Sequence, residues 1–121
     1  MYRIKIYDRF SSAHFLKGYK GECESLHGHN WKVEIEVQGE ELDNVGMLMD
    51  FKRLKAILHD ILVNLDHRLL NDIHPFSESN PSSEIISGYI YKTVKEKLPQ
   101  GLSIHMVSVW ESENSVASYF E

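Results

Sequence analysis

The segment Cys23-Glu24-Ser25-Leu26-His27-Gly28-His29-Asn30-Trp31 gathers a thiol, a carboxylate and two imidazoles in nine consecutive residues. In a strand, residues two apart point the same way. His27 and His29 therefore present their rings on one face, and Gly28 adds no side chain to the other. Zn²⁺ takes neutral imidazole nitrogen, and catalytic zinc sites keep three protein ligands and an open fourth position. His14, near the end of an earlier strand expected to pair with this one, is the best-placed third ligand. Cys23 reads in two ways: as a free thiol working beside an open metal, or as a fourth ligand that closes a structural site. A chain with this much apolar core does not need a metal to fold, which favours the open site.

Three further carboxylates and one histidine extend the chemistry. Asp66 and His67 are adjacent in Leu65-Asp66-His67-Arg68-Leu69-Leu70-Asn71. Within a regular helix adjacent side chains do not meet, but at a helix end the backbone can bend to let an aspartate fix an imidazole tautomer. Such a pair can raise the thiolate fraction of a cysteine. The other reading is a helix C-terminus where His67 and Arg68 answer the dipole. Glu111 follows the apolar Val107, Val109 and Trp110; it is either a strand-end charge or an acceptor for the paired N–H edge of a pterin or guanine ring. Glu24 is a loop charge or a second base beside Cys23. His59, His74 and His105 have no such company and read as surface or core fillers.

Hydrophobic periodicity supplies the elements that must position these groups. Tyr2, Ile4 and Ile6 alternate with Arg3, Lys5 and Tyr7, predicting a strand that runs on through Phe10, Ser12 and His14. Lys17 to Glu24, with Gly18 and Gly21, reads as a loop. Trp31, Val33, Ile35 and Val37 face away from Lys32, Glu34, Glu36 and Gln38 in a second strand, and Gly39 to Asn44 turns the chain. Asp50 is placed to cap a helix whose apolar stripe is Phe51, Leu54, Ile57, Leu58, Ile61, Leu62 and Leu65. After a loop from Asn71 to Asn80, Asn80 as N-cap and Pro81 as first helical residue open a second helix that ends by Pro99. Ile104–Glu111 and Ser115–Phe120 close as strands. The expected class is α+β, one domain over residues 1–121: an antiparallel four-stranded sheet with two helices inserted between strands 2 and 3. One sheet face and the sheet edges stay uncovered, which points to a homo-oligomer.

Composition sets the outer bounds. Hydrophobic residues make up 42% of 121, with three prolines and seven glycines, which excludes disordered and collagen-like classes. No apolar run is long enough to span a membrane, and Met1-Tyr2-Arg3-Ile4-Lys5 does not resemble a signal peptide. A net charge of −5 has the wrong sign for a general nucleic-acid binder. One cysteine forms no internal disulfide and suits a reducing compartment. The expected protein is cytoplasmic.

Read in order, Phe10-Ser11-Ser12-Ala13-His14, Cys23 to Trp31, Gly46-Met47-Leu48-Met49-Asp50-Phe51, Leu65 to Asn71, Asn80-Pro81-Ser82-Ser83-Glu84 and Glu111 resemble the 6-pyruvoyl-tetrahydropterin synthase family across nearly the whole chain. The resemblance implies the tunnelling fold, in which sheets of several subunits, as trimer or hexamer, close into a barrel. It implies Zn²⁺ on His14, His27 and His29, Cys23 as proton acceptor with His67 and Asp66 as relay, and Glu111 as pterin anchor and a further catalytic member of that relay. Glu24, Ser82 and Ser83 become substrate contacts, and Cys23 and His67 of one site can come from different subunits. Three residues between Cys23 and His27 resemble the 6-carboxytetrahydropterin synthases of queuosine precursor synthesis, which act on 7,8-dihydroneopterin triphosphate. Glu24 also matches a subgroup giving 6-hydroxymethyl-dihydropterin, and 6-pyruvoyl-tetrahydropterin is the product of other members. Lys17, Lys20, Lys52, Arg53 and Arg68 are the cations available to a triphosphate. Ser12 replaces the usual alanine and Ser112 the common threonine. The more distant alternative is a non-enzymatic zinc-binding module with Cys23 as fourth ligand.

Overall fold

The computed structural model describes residues 1–18 and 24–121; Lys20 and Cys23 lie outside the described residues. Four strands, β1 (Tyr2–His14), β2 (His27–Gly39), β3 (Ser103–Ser112) and β4 (Ser115–Tyr119), form one antiparallel sheet in the order β1-β2-β3-β4. Two helices, α1 (Phe51–Leu62) and α2 (Ser83–Lys97), are inserted between β2 and β3. This is the α+β arrangement expected from the alternation and stripe patterns.

Period-two side chains give the sheet one apolar face. Ile6 and Phe10 of β1 sit opposite Ile35 and Trp31 of β2, and Val33 and Ile35 sit opposite Val109 and Val107 of β3. Against this face α1 buries Leu54, Leu58, Ile61 and Leu62, while α2 buries Ile86, Ile90 and Val94. Burial of a Leu or Ile side chain contributes about 1.5–3 kcal/mol, so the two helices are held chiefly by these stripes. The opposite sheet face carries Tyr7, Lys32 and Trp110, with the Lys32 ammonium 4.6 Å and 4.8 Å from the two ring centroids.

Both helix starts follow from local capping. Asp50 caps α1 by accepting a bond from the Lys52 N–H at 2.8 Å, as its position in the sequence suggests. The start of α2 differs from expectation: its N-cap is Ser82, whose hydroxyl accepts from the Ile85 N–H, and Asn80 and Pro81 lie outside the helix. The C-terminal end of α1 also differs. It stops at Leu62, and Leu65 reaches the core from the turn that follows. No helix among the described residues is long and apolar enough to cross a membrane.

Candidate metal centre

Strand register brings the histidines together. In β1–β2 pairing His14 lies opposite His27, Ser12 opposite His29 and Phe10 opposite Trp31. Directly opposed residues share a face, so all three imidazoles project from the apolar side, beyond the point where the core ends. Trp31, fully buried, closes the floor: the His14 and His29 rings stand edge-on to it at 4.9 and 5.1 Å. Its indole N–H donates to the Ser12 carbonyl at 3.2 Å.

Glu111 joins the cluster through a β-bulge. Trp110 pairs with Val116 and Ser112 with Ser115, so two steps on β3 match one on β4 and Glu111 is the extra residue. A bulge re-aims a side chain. Here Glu111 Oε1 lies 3.3 Å from His14 Nε2 and 3.2 Å from His29 Nε2. One donor atom from each of His14, His27, His29 and Glu111 falls within 4.8 Å of every other. The sequence reading placed Glu111 at a pterin ring; the structure puts one of its oxygens among the imidazole nitrogens as well.

The hydrogen bonds fix which nitrogens face inward. His14 Nδ1 is 2.8 Å from the Pro81 carbonyl and His27 Nδ1 is 2.7 Å from the Ser25 carbonyl. A carbonyl oxygen only accepts, so both Nδ1 atoms carry a proton and Nε2 is the nitrogen that each ring turns toward the cluster. Those two Nε2 atoms face each other across 3.1 Å. That is close enough for both nitrogens to share one cation. His29 Nε2 is closed off from solvent and, despite its approach to Glu111, has no hydrogen-bond partner among the described residues. Burial holds the His29 pKa below its ordinary 6.5, the Glu111 carboxylate opposes that shift, and His14 and His27 reinforce it. Three converging imidazole nitrogens, two of them on rings whose other N–H is anchored on a backbone carbonyl, are a ligand set suited to a metal ion. The residues present therefore fit a metal ion.

Glu24 stands beside this centre. Its Oε1 is buried without a partner among the described residues and lies 3.6 Å from His27 Nε2.

Asp66 and His67 make contact beyond the end of α1. His67 has a left-handed backbone, φ 55°, rare for a residue with a side chain. The conformation is held from β1: the His67 N–H donates to the Ser11 carbonyl at 2.6 Å, the Ala13 N–H donates to the Arg68 carbonyl at 3.0 Å, and the Ser12 hydroxyl donates to the Leu65 carbonyl. Asp66 Oδ1 in turn accepts from the Ser11 N–H, and Oδ2 lies 2.8 Å from His67 Nδ1. The Ser11 N–H first, and the His67 ring second, hold the Asp66 carboxyl below its ordinary 3.8. The His67 side chain is 81% exposed, and no hydrogen bond or ion pair among the described residues joins the dyad to the imidazole cluster. Ser82 serves as a helix cap, and the neighbouring Pro81 carbonyl is the group of that segment that reaches the cluster. The roles of Trp31, Pro81 and Ser25 were not read from the sequence, because backbone carbonyls and ring edges leave no residue-type signal.

The comparisons with known proteins agree with this geometry. The profile of the 6-pyruvoyl tetrahydropterin synthase family matches residues 3–121. The chain is 38% identical to the 6-carboxy-5,6,7,8-tetrahydropterin synthase of Synechocystis, over 95% of this chain and 92% of that protein. It is 36% identical to the dihydroneopterin monophosphate aldolase of Pyrococcus furiosus, over 84% of this chain and 82% of that protein. The structure of Caenorhabditis elegans 6-pyruvoyl tetrahydropterin synthase matches with a TM-score of 0.83 at 26% identity, covering 99% of this chain and 95% of that one. A sheet that delivers three histidines to one point, on a sequence matched almost end to end, belongs to the 6-pyruvoyl tetrahydropterin synthase family.

Proposed function

We propose that this protein is a zinc-dependent 6-carboxy-5,6,7,8-tetrahydropterin synthase, converting 7,8-dihydroneopterin triphosphate and water to 6-carboxytetrahydropterin, acetaldehyde and triphosphate in queuosine precursor synthesis. The observation that carries this reading is the convergence of the Nε2 atoms of His14, His27 and His29 on one centre beside Glu111. The Synechocystis relative supports the choice of product. Zinc on the three imidazoles supplies Lewis acidity that lowers the pKa of the substrate's side-chain hydroxyls.

The chain's own groups move the protons. Cys23, outside the described residues, acts as general base and acid on the side-chain carbons. Asp66 accepts the His67 Nδ1–H and so leaves Nε2 to exchange a proton with that thiol. The dyad sits on the free edge of β1, exposed and apart from its own cluster, so it serves the site of an adjacent copy in a barrel-forming trimer or hexamer. Glu111 takes the paired N–H edge of the pterin ring, Ser82 and Ser83 contact the substrate at the start of α2, and cations among Lys17, Lys20, Lys52, Arg53 and Arg68 meet the triphosphate. The compartment is the cytoplasm.

Glu24 favours a second activity on the same site. A buried carboxylate oxygen without a hydrogen-bond partner among the described residues, 3.6 Å from His27 Nε2, is placed to act as base for carbon–carbon cleavage to 6-hydroxymethyl-dihydropterin; the aldolase relative supports it. Incubation with dihydroneopterin triphosphate and identification of the pterin by mass tests both readings. The expected product is 6-carboxytetrahydropterin, lost in Cys23→Ala, with any 6-hydroxymethyl product lost in Glu24→Ala. An unchanged substrate contradicts the proposal.

A further inference from the structure

Asn71 and Asn80 have no part in the chemistry above, and neither caps a helix, yet each makes the same unusual pair of bonds. Asn71 is buried; its Oδ1 accepts from the Phe15 N–H at 3.0 Å and its Nδ2 donates to the Phe15 carbonyl at 2.9 Å. Asn80 repeats the pattern on Lys17, at 2.7 and 2.8 Å. In an antiparallel ladder, alternate residues exchange both N–H and C=O bonds with the neighbouring strand. Phe15 and Lys17 are such alternate residues, and the facing strand is replaced by two side-chain amides, whose donor and acceptor are those of a peptide group.

The segment thus held connects two parts of the metal centre. It begins directly after His14, whose Nδ1–H donates to the carbonyl of Pro81, the residue next to Asn80. Between the two clamped residues, the Leu16 carbonyl accepts from the Glu24 N–H at 2.9 Å. Each residue from His14 to Lys17 is therefore held by a hydrogen-bonded partner from outside the sheet: Pro81, Asn71, Glu24 and Asn80 in turn. The Glu24 backbone is located by Leu16, and its carboxylate reaches His27.

We propose that Asn71 and Asn80 are positioning residues that splint Phe15–Lys17 and thereby set where His14 and the Glu24 carboxylate stand at the centre. The catalytic consequence rests on the function proposed above; the placement itself does not. The test uses the full chain with Asn80→Ala, Asn71→Ala and Asn80→Asp, the last keeping an acceptor for the Lys17 N–H. Hydrogen exchange of the Glu24 amide, the visible spectrum of Co²⁺ added as probe, and kcat and KM on dihydroneopterin triphosphate are read well below the unfolding midpoint. In Asn80→Ala the Glu24 amide exchanges at least tenfold faster while the Val33 and Ile35 amides do not change. The Co²⁺ bands shift, and kcat falls at least tenfold with KM altered less; Asn80→Asp recovers part of each effect. Unchanged Glu24 exchange overturns the proposal, as does faster exchange with the Co²⁺ spectrum and kcat intact. If Asn71→Ala does not fold, the half-buried Asn80 carries the test. If the wild-type chain turns over no substrate, the proposed function falls, and the exchange and Co²⁺ readings still decide on the splint.

Discussion

Replacing His14 by alanine separates the metal's contribution from that of the fold. The His14 ring is almost wholly buried, donates to the Pro81 carbonyl and packs edge-on against Trp31. Its loss leaves that carbonyl without a partner, at about 1–3 kcal/mol. With the lost packing of the buried ring included, the metal-free variant is less stable than wild type by about 2–5 kcal/mol. The zinc response is read separately, as the shift within each protein. An ion at about 100 times its Kd stabilises the folded state by about 2.7 kcal/mol, which at about 4 °C per kcal/mol is a rise of roughly 10 °C in Tm. Wild type shows that rise in thermal unfolding followed by far-UV circular dichroism with and without zinc. His14→Ala, left with two imidazoles and one carboxylate, shows less than about a third of it at the same zinc concentration. An equal zinc shift in the two proteins refutes the reasoning, because it places the ion elsewhere.

Other substitutions address the supports of the site. Trp31→Ala removes a fully buried side chain and costs about 3–5 kcal/mol in urea unfolding; it also weakens the zinc response, since the His14 and His29 rings lose their common floor. Gly39→Ala places a methyl group 2.8 Å from Leu48 Cδ1 and Leu102 Cδ2 and 3.2 Å from the Gly101 carbonyl oxygen. It destabilises by about 1–3 kcal/mol and leaves the zinc response unaltered; a lost response would tie that end of the sheet to the metal. Asp66 has a depressed carboxyl pKa, so its contribution is present above the unfolded-state value of about 3.9 and is lost as the pH falls through the folded-state value. The stability gap between wild type and Asp66→Asn is therefore constant at neutral pH and narrows below about pH 4. A gap that widens with acid contradicts the assignment of the Ser11 and His67 bonds to the ionised carboxylate.

The strands and the histidine cluster were legible because period-two patterning carries both burial and direction. The parity that puts Ile6 and Phe10 in the core also puts His14 on that face, and Trp31 does the same for His27 and His29. Element ends were less legible. Leu65 keeps helical spacing with Leu58 and Leu62 but is buried from a turn, so the apolar stripe outlasts α1. Asn80-Pro81 has the composition of a helix start, yet contacts with Lys17 and His14, far away in sequence, draw both residues out of α2. The left-handed His67 and the bulge at Glu111 depend on β1 and on β4 registry respectively, and no local residue preference announces either.

X-ray absorption at the zinc edge of the metal-loaded protein examines the central claim most directly. The expected first shell holds three imidazole nitrogens at about 2.0–2.1 Å, a further oxygen, and no sulfur. A scatterer at about 2.3 Å, the distance of a zinc–thiolate bond, would make Cys23 a ligand and the centre a closed structural site.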